Sequence, residues 1–538
     1  MAEDKTKTAD EIFKEFKEHS ITEFFRKNSQ MLGYAGKVRS LTTIVHEYVT
    51  NSLDACEEAN ILPEIEVRIT EVAESKYKIA IRDNGPGIPS KHVGKALASV
   101  LTGTKFHRYM QQRGQQGIGA GGCTIFALIT TGKGVHVKSS TGKEAYTCDL
   151  SIDIKANKPM VNNMSSIKPD FRGLMIEGEF GDVKYEKSDH GVYEYVRRTA
   201  LSNPHTSIKL VEPDGGEAIF PRSVNTMPRK PKQILPHPLG ISASDLLDFA
   251  HMSESRKVTS FLVDSFSRVT HDKVKELMEI AKDVDFEKQP RQLSWEDANK
   301  IVAACKQVKW IGPELDAMST IGEKQIDVAM RNIIDPKFTS VVERKPQVFK
   351  GGIPFVVEVG IAYGGKAGKS SGDTVSGNIL RFANKVPLLF DTGSCAITEA
   401  VQSIDWKRYS IVRFDEEPVS VMVNVSSVYI PYSGVGKQAV AQEDEIVEEI
   451  KLAVQDAGRK LQRFLSGERH RSVQESGYKT IMRYVSQLSS DLEEITGKKK
   501  AETEKELRSL IEKKYKSLFK TEEEGPAETV EEEAEAEE

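Results

Sequence analysis

The chain has 538 residues, with 75 Lys and Arg against 80 Asp and Glu and a formal net charge of −5. A length of this order predicts several domains, each with a core of its own. Five cysteines without CxxC spacing argue against a zinc site or a disulfide framework, and favour a reducing compartment. The charged amino-terminal stretch and the lack of any apolar run near 20 residues predict neither a signal peptide nor a membrane span.

In chain order, residues 10–30 read as helical, with Ile12, Phe13 and Phe16 on one stripe. A long amphipathic helix follows at 38–59, where Leu41, Ile44, Val45, Tyr48, Val49, Leu53 and Cys56 recur at three- and four-residue steps. Ile65, Val67, Ile69 and then Tyr77, Ile79, Ile81 alternate as paired strands with one buried face. Residues 94–122 are rich in Gly, Thr and Gln, and 133–220 are rich in strands. The segment PRKPKQILPHP near 228–238 reads as a linker, and 240–306 carry helical periodicity. Beyond 308, PFVVEVGIAYGG, NILRFANKVPLLF and SVMVNVSSVYI read as strands, with Val419, Val421, Val423 and Val425 alternating. Helices are expected at 443–466 and 500–520. Residues 521–538 hold ten Glu and no Lys or Arg, so removing that charge from −5 leaves +5 on the body. Such a tail is expected to stay solvated and disordered.

Two motifs fail on inspection. GGKAGKSS at 364–371 needs Gly at 363 to be a phosphate-binding Walker loop, but Tyr363 stands there, so it reads as a hairpin. His46-Glu47 opens like a zinc-binding HExxH, but the fifth position is Thr50.

Three other segments carry chemistry. Glu47, Asn51 and Asp54 fall on the polar face of the 38–59 helix, which is merely solvated unless other elements converge on it. In a site, Glu47 is suited to take a proton from water and Asn51 to offer its carbonyl oxygen to Mg²⁺. Next, Arg82-Asp83-Asn84-Gly85-Pro86-Gly87-Ile88 closes a strand with a tight turn, where Asp83 can accept from the amino group of adenine. Third, Arg113-Gly114-Gln115-Gln116-Gly117-Ile118-Gly119-Ala120-Gly121-Gly122 precedes an apolar helix. Its glycines expose backbone N–H groups, and it serves either as a phosphate cradle or as a flexible connection. Thr104 and Lys105 stand just upstream, where they could contact the same phosphates.

Together EYVTNSLDA, RDNGPGIP and RGQQGIG resemble the three boxes of the GHKL (Bergerat-fold) ATPases. The resemblance implies an α/β sandwich that binds ATP and Mg²⁺. It makes Glu47 the catalytic base, Asn51 the metal ligand and Asp83 the adenine reader. It makes Gly114, Gln115, Gln116, Gly117, Ile118, Gly119, Ala120 and Gly121 a lid over the phosphates. Many members carry Thr after Gly on the strand facing adenine; here Leu174 follows Gly173, so that contact is left unassigned.

The helical insert, RFANKVPLLFD at 381–391, CAITEAV at 395–401 and SGVGKQAVA at 433–441 resemble the B subunits of type IIB DNA topoisomerases. This implies a strap and ATPase domain at 1–228, a helix-two-turns-helix domain at 229–307 and an α/β transducer at 308–470. A helical segment at 471–520 and the acidic tail would follow. It also implies that Lys437 is a switch lysine for the γ-phosphate. The partners would be a cleaving A subunit in an A2B2 heterotetramer, double-stranded DNA and a second copy joined on ATP binding, in an archaeal-type, nucleoid-associated cytoplasmic setting. Residues 229–310 carry 14 basic and 12 acidic side chains, so DNA contact would need spatial clustering, with Lys230, Lys232, Arg256, Lys257 and Lys273 as candidates. The alternative is a clamp ATPase of the mismatch-repair or chaperone type. A nucleotide-locked structural clamp is the reading without catalysis.

Overall fold

The computed structural model describes residues 33–100, 109–114, 117–153, 158–372, 374–434 and 436–515. The helix expected at 10–30, Thr104, Lys105, Gln115, Gln116 and the acidic tail lie outside them. The chain divides into two compact units. One runs to Ile404 and resumes over Arg413–Ala457; the other joins Asp405–Val412 to the chain from Gly458 onward.

The first unit begins with helix α1 (Lys37–Glu58), whose stripe from Leu41 to Cys56 is buried as its periodicity predicts. Strands β1 (Glu64–Ala73) and β2 (Lys76–Asp83) pair antiparallel, setting Val67 opposite Ile81 and Ile69 opposite Ile79. The short helix α2 (Val93–Leu97) and helix α3 (Gly119–Thr131) precede β3 (Val135–Ser140), β4 (Ala145–Asp153), β5 (Lys158–Ser166) and β6 (Gly173–Gly181). Helix α4 (Val192–Ser202), β7 (Ser207–Val211) and β8 (Glu217–Phe220) complete an eight-stranded sheet ordered β5-β4-β3-β6-β2-β1-β7-β8. Residues of α1, α3 and α4 share one apolar core with this sheet, the layered sandwich expected from the sequence.

Four helices follow the linker: α5 (Ala243–Met252), α6 (Val258–Ser265), α7 (His271–Ile280) and α8 (Trp295–Cys305). They enclose a separate core that includes Leu246, Phe261, Leu277 and Ile301. Ser242 with Asp245, and Ser294 with Asp297, form reciprocal capping boxes that fix where α5 and α8 start.

Helix α9 (Glu323–Ile334) leads into a second sheet of β9 (Phe338–Glu343), β10 (Gln347–Phe349), β11 (Ile353–Tyr363), β14 (Asn378–Ala383), β15 (Val386–Pro387) and β16 (Val419–Ser427). Between them, β12 (Lys369–Ser371) and β13 (Thr374–Ser376) form the hairpin that the failed Walker motif suggests. β14 runs parallel to β16, so the chain crosses over between them through helix α10 (Ala396–Gln402). The alternation of valines in β16 understates its burial. All nine residues are buried, because Asn424 and Ser426 on the other face also meet protein.

Helix α11 (Asp444–Thr496) is a single 53-residue helix, longer than the 443–466 stretch read from sequence, and passes residue 470 without a break. In the second unit the Tyr409 ring packs on Gly458, where a β-carbon would stand 3.0 Å from it. Helix α12 (Lys500–Lys514) brings Tyr515 within 5.7 Å of Tyr478. No described helix is long and apolar enough to cross a membrane.

Candidate nucleotide-binding site

A cavity of about 720 Å³ opens in the first unit, between α1, the β2 turn, the start of α3 and the loop after β16. Glu47 and Asn51 are one helical turn apart on α1, and both line it. Asn51 is exposed to the cavity, and its carboxamide makes no hydrogen bond to any described residue. Glu47 packs directly over Gly119, where any β-carbon would overlap its carboxylate. A side chain at the first residue of α3 would therefore displace the Glu47 carboxylate from this position.

The lid residues Gly114, Gly117, Ile118, Gly119, Ala120 and Gly121 all line the cavity. Ile118 supplies no side-chain cap to α3, so the first-turn N–H groups of that helix remain available to an anion. Phosphates bound there would sit beside both Glu47 and Asn51.

At the other end, Asp83 is 5% exposed and fully engaged. Its Oδ2 accepts from Ser52 Oγ at 2.8 Å, and its Oδ1 accepts from the backbone N–H groups of Gly85 and Leu174 at 2.9 and 3.1 Å. Burial raises its pKa above the usual carboxylate value, against these three donors. The geometry leaves Oδ2 with room to accept a further donor from the cavity. Gly173, at φ +121°, lies against the Asp83 carbonyl so closely that no side chain fits. The Leu174 position, which lacks the hydroxyl of many GHKL members, therefore contributes through its main chain, with its side chain on the cavity wall. Ser52 was not legible as a site residue. The available signal was a hydroxyl on the buried stripe of α1, since a buried hydroxyl calls for a partner.

Lys437 reaches the same cavity from the second sheet's side. It has a left-handed backbone (φ +51°), and its N–H donates to Gly434 O at 3.1 Å. The buried guanidinium of Arg381 holds the next residue, donating to Gln438 O at 3.4 Å and to Phe390 O at 2.8 Å. Burial lowers the Lys437 pKa, and the nearby Glu47 charge opposes that shift. Lys437 forms no ion pair with a described residue and lines the cavity with Glu47, so an anion bound there would meet its ammonium.

Asp54 keeps its place on the same helical face as Glu47 and Asn51 but does not line their cavity. Together with Glu57 it binds Arg113, at 2.8 and 2.5 Å, and Glu57 also contacts His205 at 3.0 Å. Three of the candidate DNA-binding lysines are likewise paired locally: Lys232 with Asp316, Lys257 with Glu287 and Lys273 with Glu276. Lys230 donates to the Glu58 carbonyl at 3.2 Å, and Arg256 is exposed.

Residues 36–155 match the family model of histidine kinase-, DNA gyrase B- and HSP90-like ATPases, and residues 313–477 match that of the topoisomerase VI B subunit transducer. The B subunit of type 2 DNA topoisomerase 6 from Pyrococcus horikoshii is 44% identical over 575 residues, covering 98% of this chain and 100% of that protein. Its counterpart in Methanothermobacter thermautotrophicus is 45% identical over 454 residues, covering 84% of this chain and 86% of that protein.

Proposed function

The chain belongs to the family of topoisomerase VI B subunits, and from that premise we propose how its residues couple ATP to the passage of duplex DNA. As a member of that family it binds and hydrolyses ATP within a type IIB DNA topoisomerase. A chaperone or mismatch-repair clamp is not favoured, because the transducer match and the full-length relatives are of the topoisomerase VI type.

Adenine enters beside Asp83, whose Oδ2 accepts from the amino group while Ser52, Gly85 and Leu174 hold the carboxylate in place. The triphosphate then lies along the start of α3, where uncapped N–H groups favour negative charge. Glu47 orients water and takes its proton during attack on the γ-phosphate. The family implies Mg²⁺, and the residues fit it. Among the described residues no cluster of His, Cys, Asp or Glu could hold a metal alone, but the unengaged Asn51 oxygen could add one ligand to those of the phosphates. The ion would neutralise charge developing on the phosphates.

The observation that carries the switch is Lys437, supplied by the transducer region to the wall that Glu47 also lines. A γ-phosphate gives this ammonium a partner that ADP lacks, so the two nucleotides favour different arrangements of transducer and ATPase. ATP binding then joins two copies of the chain around a duplex, and a separate A subunit in an A2B2 assembly makes the break. The setting is cytoplasmic, at the nucleoid. The test measures phosphate release with and without DNA, alongside the oligomeric state with AMP-PNP. Dimers with AMP-PNP and hydrolysis stimulated by DNA are expected. Hydrolysis indifferent to DNA and a chain that stays monomeric would overturn the reading.

A further inference from the structure

A second cavity, of about 300 Å³, lies where the end of α1, the segment preceding the lid, the proline-rich linker and the turn between β14 and β15 meet. Its wall contains polar groups that the protein itself leaves incomplete. Gln112 is 8% exposed, and neither its amide nitrogen nor its oxygen has a hydrogen-bond partner. Native interiors rarely tolerate such a buried carboxamide without a ligand or water to complete it. The Nε of Arg113 also lacks a partner, although its terminal nitrogens are taken by Asp54, Glu57 and Asn203.

The third group is Lys385. It is 4% exposed, and its ammonium donates to Ser319 Oγ at 2.7 Å. No carboxylate among the described residues lies within ion-pair distance of it. Burial pulls its pKa down to about 8, with Glu57, Glu358 and Asp54 opposing that shift and Arg113 adding to it, none of the carboxylates within ion-pair distance. Its ammonium has no carboxylate of its own, whereas the Arg113 charge is already matched by two. Arg229, ion-paired with Asp316, and Lys230 of the linker also line the wall, as does the carboxylate of Glu58.

We propose that this cavity binds inorganic phosphate, in its hydrogen phosphate form, between Lys385 and Gln112. The anion answers the unmatched ammonium. The two ends of Gln112 discriminate further: the amide N–H₂ donates to a phosphate oxygen, while Oε1 accepts from the acid hydroxyl that sulfate lacks. The volume, roughly ten waters' worth, accommodates such an ion with some of its hydration. Phosphate is also what ATP hydrolysis releases, so the site reads the product. Its occupant would touch the root of the lid. There Asn384 Nδ2 donates to the Gln112 carbonyl, and the Gln111 side chain brackets the Ser319 backbone, accepting from its N–H at 2.6 Å and donating to its carbonyl at 3.0 Å. Bound phosphate would hold lid and transducer in this arrangement.

The experiment titrates inorganic phosphate, with sulfate at equal ionic strength as a second arm, into the full chain saturated with AMP-PNP and Mg²⁺, and reads heat and melting temperature. It relies on the proposed function only to fill the first cavity, and AMP-PNP binding is measured separately. One saturable phosphate site per chain is expected, with sulfate weaker. Gln112→Leu and Lys385→Gln should each weaken phosphate by about tenfold or more. Lys437→Ala, in the first cavity, should leave it unchanged. Gln112→Leu removes only unpartnered polar atoms, so it should fold; should it not, the wild-type titration decides alone. Absence of saturable phosphate binding in the wild type, equal binding of sulfate, or undiminished binding by a folded Gln112→Leu chain would each overturn the proposal.

Discussion

At Glu47 and Asn51, α1 faces the first cavity with a carboxylate and a carboxamide that form no hydrogen bond or ion pair with a described residue. Two turns further on, the same helix offers Asp54 and Glu57, and there both are drawn into ion pairs with Arg113. The residue types are alike, and the difference lies in what the fold sets against them. A buried arginine with 6% side-chain exposure needs its charge matched, so the far end of the helix is structural. At the near end a glycine replaces any side chain that could cover Glu47, and its oxygens face the cavity. Polar chemistry left unmatched where a cavity opens marks function; polar chemistry matched in the interior marks architecture.

The largest break in this comparison comes from removing one group at each end. Glu47→Ala should lower the rate of ATP hydrolysis by about 10²-fold or more while AMP-PNP still supports dimers. A phosphate-release assay with unchanged turnover would remove Glu47 as the base. Arg113→Ala takes the matching charge away from Asp54 and Glu57 and should cost about 3–5 kcal/mol of stability, read from urea unfolding. Loss of catalysis without loss of stability in Arg113→Ala would mean that the far end also belongs to the active site. Next in size, Lys437→Ala should narrow the affinity gap between ATP and ADP by about tenfold, because it removes a contact that only the γ-phosphate makes. Fluorescent-nucleotide competition measures the gap, and an unaltered gap would defeat the switch.

Acid sharpens the same contrast. Glu57 is buried, which alone would raise its pKa, but Arg113 and His205 hold it well below the usual carboxylate value. Its folded pKa lies below its unfolded one, so it adds stability above about pH 4.5, and that stability is lost as pH falls through the lower, folded value. Glu57→Gln should therefore flatten the acid side of a plot of melting temperature against pH. A limb as steep as that of the wild type would place the titrating group elsewhere.

How much of this was legible in the sequence depends on whether a partner is local. The α1 stripe, the β1–β2 pair and the glycines from Gly114 to Gly121 follow from spacing alone, since periodicity and backbone freedom are local properties. The roles of Glu47, Asp83 and Lys437 came from their resemblance to known boxes, and the cavity brings all three together. The fate of Asp54 was not legible, because Arg113 lies 59 residues away in sequence. Nor was the full burial of β16, whose second face is covered by Glu358 and by Gln111 from distant segments. Helix length misled for another reason. α11 continues past 466 on a surface with little apolar patterning, where helix propensity rather than a buried stripe carries it.

Ser52 gives the smallest expected effect and the finest test, because it stands between the two ends of α1, buried like a core residue yet bonded to a site residue. Asp83 keeps its Gly85 and Leu174 donors when the hydroxyl is removed, so the carboxylate remains ordered by two bonds in three. Loss of one such bond is worth about 0.5–1.5 kcal/mol, or roughly two- to tenfold. Ser52→Ala should raise the KM for ATP by that factor and leave kcat unchanged, since Glu47 and the lid are untouched. It should also narrow the preference for ATP over GTP in the same proportion, because the freed Oδ2 can turn away from the adenine amino group. Steady-state kinetics with both nucleotides separates the possibilities. A lowered melting temperature with an unchanged KM would assign Ser52 to packing. A raised KM with unchanged ATP-to-GTP preference would detach Asp83 from base recognition and leave it as a support for the β2 turn.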